Sequence, residues 1–485
     1  MKFKSQAFSL TKKIAFGIVF LVILILNVLR FWKLDTIPYG YHVDEVGSAV
    51  TIQCFVEKGC DAELRVWPLF GRMEYGQDKP PTYVYPGILW AKIFGTTVPS
   101  LRAFSVFILL IGILGLFFLA KKIFGLEAGL VVALAATCSP WGWVMNRVAL
   151  ESFGSNVFLI WGLYFFLRSN RWWDWVLAAL FFAGAMYSYP PARFAVPCML
   201  LTLSWFESKN RPIRFSLVLS LGFVFIIALI PLVLGYKYDD LGLRFHDIGI
   251  FNKAYLSEIG KTGTPRELIS IFVHNYLLHL TPDFLFLTGD PSLIHSTGHL
   301  GILGWLDISA LFIFFLFFIL ALLKPAWQEN PVIKHRRWLI FLALNFFIGI
   351  IPAALTFQEL PHALRVSGSW LFMMLFTGLM WAKAGECLKA VWPALALAAI
   401  LSGGVLVWQY FTLYPQESKG MFTFWVMDQA NRSKSRDEWM SFLMLYHRQN
   451  YHCRYFLSHK LGMSCKEAND VWWDLYHRLK KAGLY

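Results

Sequence analysis

Residues Ile14–Trp32 read IAFGIVFLVILILNVLRFW, an apolar run of nineteen residues preceded by Lys2, Lys4, Lys12 and Lys13. A helix needs about 20 such residues to cross the hydrocarbon of a bilayer. A secretory signal would have a shorter apolar core followed by a small-residue cleavage site, and no such site follows. The stretch therefore predicts a retained first span with a cytoplasmic N-terminus. Ten more helix-length apolar runs follow, at about 102–120, 128–146, 153–167, 172–189, 193–206, 215–235, 301–323, 338–356, 366–382 and 391–411. The basic residues between them alternate in number. Loops expected inside hold Lys121 and Lys122; Arg168 and Arg171; Lys209, Arg211 and Arg214; Lys324, Lys334, Arg336 and Arg337; and Lys383 and Lys389. Short loops expected outside hold one each, Arg147, Arg193 and Arg365. That asymmetry is what sets membrane orientation.

Composition agrees. Hydrophobic residues are 57% of the 485, charged residues only 15%, and mean hydropathy is +0.53. The formal charge of +14 would suit a nucleic-acid binder, but the Lys and Arg sit in short loops between apolar runs rather than on one basic face. The fold class expected is an all-α polytopic membrane protein of about eleven transmembrane helices. Residues 80–94 (PPTYVYPGILWAKIF) are short for a span, and counting them would reverse the sidedness of Lys121 and Lys122. They read as an interfacial or re-entrant helix anchored by Tyr83, Tyr85 and Trp90. Three large segments then fall outside: a first loop, 33–101, a central loop, 236–300, and a tail, 412–485. The domains expected are a transmembrane domain, 1–411, and a small non-cytoplasmic domain, 412–485. Cys54 and Cys60 share the first loop, Cys453 and Cys465 the tail. On an oxidising side these suggest two local disulfides, against the alternative of free or differently paired thiols.

The middles of the spans hold almost no ionisable residues, which speaks against an ion or substrate path through the bilayer. No internal repeat is visible, unlike many transporters. Acidic residues and histidines gather instead in the outer loops: His42, Asp44, Glu45, Asp78, Asp283, Asp290, His295, His299, Glu359 and His362. A site at the membrane surface follows, and with it an enzyme. Plainer readings exist for each residue. Asp44-Glu45 could cap a helix, Lys79 could snorkel, and Arg147 and Glu151 at i, i+4 could pair with each other. His295 and His299 stand four apart and His42 and Glu45 three apart, pairs that do not by themselves make a metal site, so a divalent metal ion stays open. Trp472-Trp473-Asp474 lies in an amphipathic stretch, 466–480, and reads as packing.

The order of the motifs carries a resemblance. Asp44-Glu45 just after the first span, Gln77-Asp78-Lys79-Pro80-Pro81-Thr82-Tyr83 some thirty residues on, Arg102 at the head of a span, then Asn146-Arg147 through Glu151-Ser152, Ser188 through Arg193, Thr281-Pro282-Asp283 through Asp290 and His295-Ser296, and Pro361-His362-Ala363-Leu364-Arg365 resemble glycosyltransferase family 39. That family lies in the C-type superfamily and includes protein O-mannosyltransferases and bacterial lipid A aminoarabinose transferases. Val46-Gly47-Ser48 lacks the basic residue that the latter carry after the acidic pair, so the acceptor class is left open. The resemblance implies transfer of a monosaccharide from a polyprenyl-phosphate donor to an acceptor hydroxyl, with inversion, at a periplasmic site in a bacterial inner membrane. The partners implied are the lipid-linked donor and a glycan, lipid or protein acceptor. It implies Asp44 as general base and Glu45 as its orienter or the acceptor's binder. Lys79 comes first, and Arg102, Arg147 and Arg365 behind it, for the leaving phosphate; His42, Asp283, Asp290, His295 and His362 are further site residues. The alternatives are an oligosaccharide or O-antigen ligase with a diphosphate-linked donor, and a non-enzymatic lipid-linked sugar transporter.

Overall fold

The structure is a computed structural model. It describes residues 2–73, 77–169, 171–208, 215–238, 241–324, 327, 329–435, 438, 439, 442, 443, 445 and 450–481. Lys209, Arg211 and Arg214, counted above among the inside charges, lie outside the described residues. Helices stand at all eleven expected positions. Among the described residues, five are long and apolar enough, by length and composition, to cross a membrane: Leu10–Leu29, Val98–Phe124, Trp305–Leu323, Arg336–Ala354 and Val391–Phe422. A sixth is reached if the pair Leu126–Cys138 and Pro140–Arg147, bent by 56°, counts as one span. Val224–Lys237 is a shorter apolar helix. The expected count of eleven is therefore a count of apolar helices, not of helices that pass as spans.

The chain divides into two compact units. The first comprises Met1–Arg30, Ile108–Met145 and Ser152–Tyr410 and holds most of the apolar helices. Close approach there depends on small residues, as expected where no hydrophobic force draws helices together in lipid. Gly162 of helix Gly154–Arg168 faces Phe182 of helix Trp172–Ser188, and Gly184 of the second faces Phe158 of the first. A Cβ at either glycine would lie 2.6 Å from the ring. The bend at Ser139-Pro140 follows from proline's missing N–H. Carbonyls freed at the end of a helix are costly in lipid unless satisfied, and Arg30 reaches across the bend to one of them and to one in the next helix. It donates to Thr137 O at 2.8 Å and Gly142 O at 3.0 Å, with its guanidinium 4.4 Å from the Trp143 ring.

The second unit comprises Phe31–Phe107, Asn146–Glu151 and Phe411–Tyr485. The first loop thus belongs with the tail, where the sequence placed it in the 1–411 domain. Helix Val43–Lys58 is the unit's centre and packs against helices Pro81–Phe94, Asn450–Leu461 and Cys465–Lys481. The one sheet among the described residues is a hairpin of Gly71–Met73 and Gln77–Lys79, a small exception to an all-α fold. Residues 80–94 form a 14-residue helix, with Pro80 as its cap and Pro81 in the first turn where the missing N–H costs nothing. The disulfide expectation is corrected here. Cys54 joins Cys465, while Cys60 and Cys453, both buried, lie outside that bridge. The reason is the packing just described: helix Val43–Lys58 lies against the tail helices, which sequence proximity could not show. Gln53 hydrogen-bonds Ser458, and Glu57 accepts the Cys465 N–H at 2.7 Å beside the bridge. Helix Cys465–Lys481 buries Ala468, Trp472, Leu475 and Leu479, the amphipathic packing expected of it.

Candidate active site

Two clusters of chemically capable side chains stand out, one in each unit. That in the second unit starts from the cap of helix Val43–Lys58. His42 is the N-cap, and its Nδ1 accepts the Asp44 N–H at 3.3 Å. Glu45, three residues on, turns back and accepts the His42 N–H at 2.8 Å, a capping box built with a histidine. Glu45 is fully buried and saturated. Its Oε1 accepts from Arg102 Nε at 2.7 Å and Ala149 N at 3.0 Å. Its Oε2 accepts from Arg102 Nη2 at 2.8 Å as well as from His42. A carboxylate has about four acceptor sites, and all are taken. Burial pushes its pKa up, but Arg102 and the two backbone donors outweigh that and hold it below the ordinary range.

Arg102 is equally committed. Besides the two bonds to Glu45, Nη1 donates to Leu34 O and Pro38 O, both at 2.9 Å, and Nη2 to Gly40 O at 2.8 Å. A guanidinium has five N–H donors, so none is left for a phosphate. The pair pins residues 34–40 and the start of the helix, with the donors of Arg102 and the acceptor sites of Glu45 taken up inside the protein. Arg147 is also buried, with Nη2 donating to Trp32 O at 2.8 Å and Ile37 O at 3.2 Å and its guanidinium 5.1 Å from the Phe411 ring. It braces the same turn.

Asp44 differs from its neighbour. Its side chain keeps 29% of its surface exposed, with Oδ1 3.7 Å from Lys79 Nζ and Oδ2 3.5 Å from His42 Nδ1. Lys79 ends the hairpin's second strand and is 1% exposed. Its ammonium lies 3.3 Å from both carboxylate oxygens of Glu151 and 3.3 Å from Asp44 O. Burial pulls the lysine's pKa down, but Glu151 and then Asp44 raise it further, so it stays charged. Glu151 is a site residue the sequence reading left in an i, i+4 pair with Arg147; here it meets Lys79. The tail contributes too. Thr423 Oγ1 donates to Tyr41 O at 2.8 Å, His452 Nε2 lies 3.0 Å from the same oxygen, and Tyr39 hydrogen-bonds Asp428. Burial lowers the His452 pKa to about 4, so it acts as a neutral hydrogen-bonding group.

The first unit brings Asp290, His295 and His362 together, all buried. Asp290 Oδ2 lies 3.3 Å from His295 Nδ1 and 3.6 Å from His362 Nδ1. Burial first, then the neighbouring His295 and Arg365, push the His362 pKa well down. Asp283 is exposed in the π-helical turn Asp283–Leu287 and is not part of this cluster. Arg365 Nη1 donates to Thr356 Oγ1 at 3.0 Å and to Gln358 O. Arg365 also lines a cavity with Ser155, Leu159, Tyr189, Pro191 and Pro352.

Residues 78–234 match the family model of the dolichyl-phosphate-mannose-protein mannosyltransferases. The stretch is roughly a third of the chain and begins one residue before Lys79. Over that stretch the chain is similar to a family of mannosyltransferases, in keeping with the resemblance read from the motif order. No curated protein matches the chain in sequence. Among solved structures, ArnT from Cupriavidus metallidurans bound to undecaprenyl phosphate is similar at 12% identity and TM-score 0.48, over 87% of this chain and 81% of that one. An oligosaccharyltransferase from Archaeoglobus fulgidus, tethered to an acceptor peptide, is similar at 13% identity and TM-score 0.48, over 89% of this chain and 58% of that one. The same organism's oligosaccharyltransferase AglB, in complex with an inhibitory peptide and a dolichol-phosphate, is similar at 14% identity and TM-score 0.47, over 91% and 60%. The chain spans less than two thirds of the length of these archaeal chains.

Proposed function

We propose that the chain transfers a monosaccharide from a polyprenyl-phosphate donor to an acceptor hydroxyl, with inversion, at the non-cytoplasmic face of a bacterial inner membrane. Asp44 is the general base. It takes the proton of the acceptor hydroxyl as that oxygen bonds to the anomeric carbon. The bond from that carbon to the phosphate oxygen breaks, and its electron pair leaves with the lipid phosphate. The observation that carries the reading is the division of labour between adjacent carboxylates. Glu45 has every acceptor site filled, whereas Asp44 is part-exposed at a helix start. A base must keep a lone pair within reach of the proton it removes.

Lys79, held by Glu151, fixes Asp44 by its charge. It is better suited to that than to a phosphate, because two carboxylates already share its one charge. Arg365, in the first unit, is named for the leaving phosphate by the family resemblance alone; its guanidinium is bonded to Thr356 and Gln358. The test is glycan mass spectrometry on a deletion strain complemented with the wild type or with Asp44→Asn. A surface glycan lost on deletion should return with the wild type alone. With purified protein, turnover should release polyprenyl phosphate; release of the diphosphate would select the oligosaccharide-ligase reading instead.

A further inference from the structure

The proposed transfer leaves Asp290, His295 and His362 unused. They come from two loops: Asp290 and His295 lie between helix Pro265–Leu278 and helix Trp305–Leu323, and His362 lies between Ile351–Ala354 and Trp370–Cys387. Their relative exposures are 3%, 7% and 5%. One ligand atom from each falls within 4.8 Å of the others, and the imidazole rings stand 4.5 Å apart at 31°.

The Nδ1 atoms of His295 and His362 both point at Asp290 Oδ2, yet neither makes a hydrogen bond. Leaving two buried ring nitrogens unsatisfied is costly. Three ligand atoms that converge without bonding each other want a cation among them. The spacing suits one. Zinc bonds nitrogen at about 2.0–2.1 Å and carboxylate oxygen at about 2.0–2.2 Å, so the edge of its tetrahedron is roughly 3.3–3.5 Å. The two Asp290–histidine separations, 3.3 and 3.6 Å, are close to that edge.

The ligands are also held from behind, as metal ligands commonly are. Asp290 Oδ2 accepts the Ala363 N–H at 2.6 Å and Oδ1 the Ser292 N–H at 2.8 Å. The main-chain N–H of His362 donates to His279 Nε2 at 3.0 Å, and His279 Nδ1 lies 2.8 Å from Asn275 O. Asp290 is thereby bonded to the residue after His362, and the two loops are in register before any ion arrives.

We propose that Asp290, His295 and His362 bind one divalent transition-metal ion, zinc by preference, which staples these two loops. Two imidazoles and a carboxylate suit zinc and its first-row neighbours, and disfavour magnesium and calcium, which take oxygen ligands. Three protein ligands leave a fourth position for water or a substrate oxygen.

The experiment uses the full chain in detergent, purified with a histidine-free tag, stripped with chelator and re-exposed to zinc or cobalt chloride at micromolar concentration. Plasma mass spectrometry should find about one metal per chain after gel filtration, and cobalt should give the visible bands of a four-coordinate nitrogen–oxygen site. His295→Gln and His362→Gln should each retain less than about a tenth of an equivalent. Zinc should raise the wild type's apparent Tm by about 5 °C and leave both variants unmoved. A wild type that holds no stoichiometric metal overturns the proposal, as does metal retained in both variants. Should a variant fail to fold, the wild-type cobalt spectrum still decides: bands of an octahedral, all-oxygen ion would refute it.

Discussion

Replacing Arg102 with methionine keeps an unbranched apolar stem but removes the guanidinium with its charge and five donors. The partner left behind is Glu45, fully buried and still accepting the N–H groups of His42 and Ala149. Breaking a buried pair by removing one member costs about 3–5 kcal/mol. Protonation of Glu45 caps the cost. Bringing a carboxyl of ordinary pKa, about 4.3, to its neutral form at pH 7 takes roughly 3.7 kcal/mol, at 1.36 kcal/mol per unit. A loss of about 3–4 kcal/mol at pH 7 is therefore expected in a unit of roughly 150 residues, for which each kcal/mol moves Tm by about 2–4 °C. The pH sign follows. In the wild type the folded pKa is lowered, so the pair's contribution is present above the unfolded pKa and lost as pH falls through the folded one. In the variant the folded pKa is raised, so stability is retained below the unfolded pKa and lost as pH rises toward the folded one. The Tm gap should be about 6–16 °C at pH 7 and shrink by several degrees at pH 5. Glu45→Gln should lose as much, since it strands Arg102 and turns an NH₂ on its donors, with no such narrowing. Intrinsic tryptophan fluorescence during heating in detergent reads both. A gap under 2 °C, or one that ignores pH in Arg102→Met, would show that the buried pair does not hold this unit together.

Asp44→Asn should insert, purify and bind the lipid donor like the wild type while turnover falls by about 10²–10⁴, the usual worth of a positioned base; an active variant refutes the assignment. Lys79→Met should leave donor affinity near the wild-type value and lower kcat, because Asp44 and Glu151 lose the cation that fixes their positions. Weakened donor binding in that variant would return the phosphate to Lys79. Arg365→Gln should do the opposite and weaken donor capture as well as turnover. A non-reduced digest should yield a peptide joining Cys54 to Cys465, with Cys60 and Cys453 recovered as alkylated thiols only after unfolding; bridged Cys54–Cys60 would refute the packing of tail on loop.

The positions of the apolar helices were legible because lipid forces apolar residues into continuous runs and leaves charge at their ends. Which of them qualify as spans was less so: proline at Pro140 and small or polar residues inside the shorter helices change length without erasing the run. Asp290, His295 and His362 were legible as candidates and illegible as a group, since His362 reaches the other two only through the pairing of two loops distant in sequence. The cysteines failed for the same reason. Cys54 and Cys60 are close in sequence, but Cys54 faces the tail from the buried side of helix Val43–Lys58. Glu151 was visible only as a partner for Arg147, because an i, i+4 spacing is the strongest relation a sequence shows. The residues it works with, Lys79 and Asp44, come from a hairpin and a helix start.

The roles of Asp44 and Glu45 turn on one residue of register. Successive positions of an α-helix point about 100° apart, so adjacent carboxylates cannot share an environment. His42 fixes the register: it is the N-cap, which makes Glu45 the third helical residue and Asp44 the second. The third residue's side chain is the one that reaches back to the cap, and this draws Glu45 inward onto Arg102. Asp44 is then left facing Lys79 at the edge. Had Val43 been the cap, the buried third position would pass to Val46 and both carboxylates would lie nearer the open end. In the proposed reaction the acidic pair is thus one anchor and one reagent, and the anchor is what gives the reagent a fixed place.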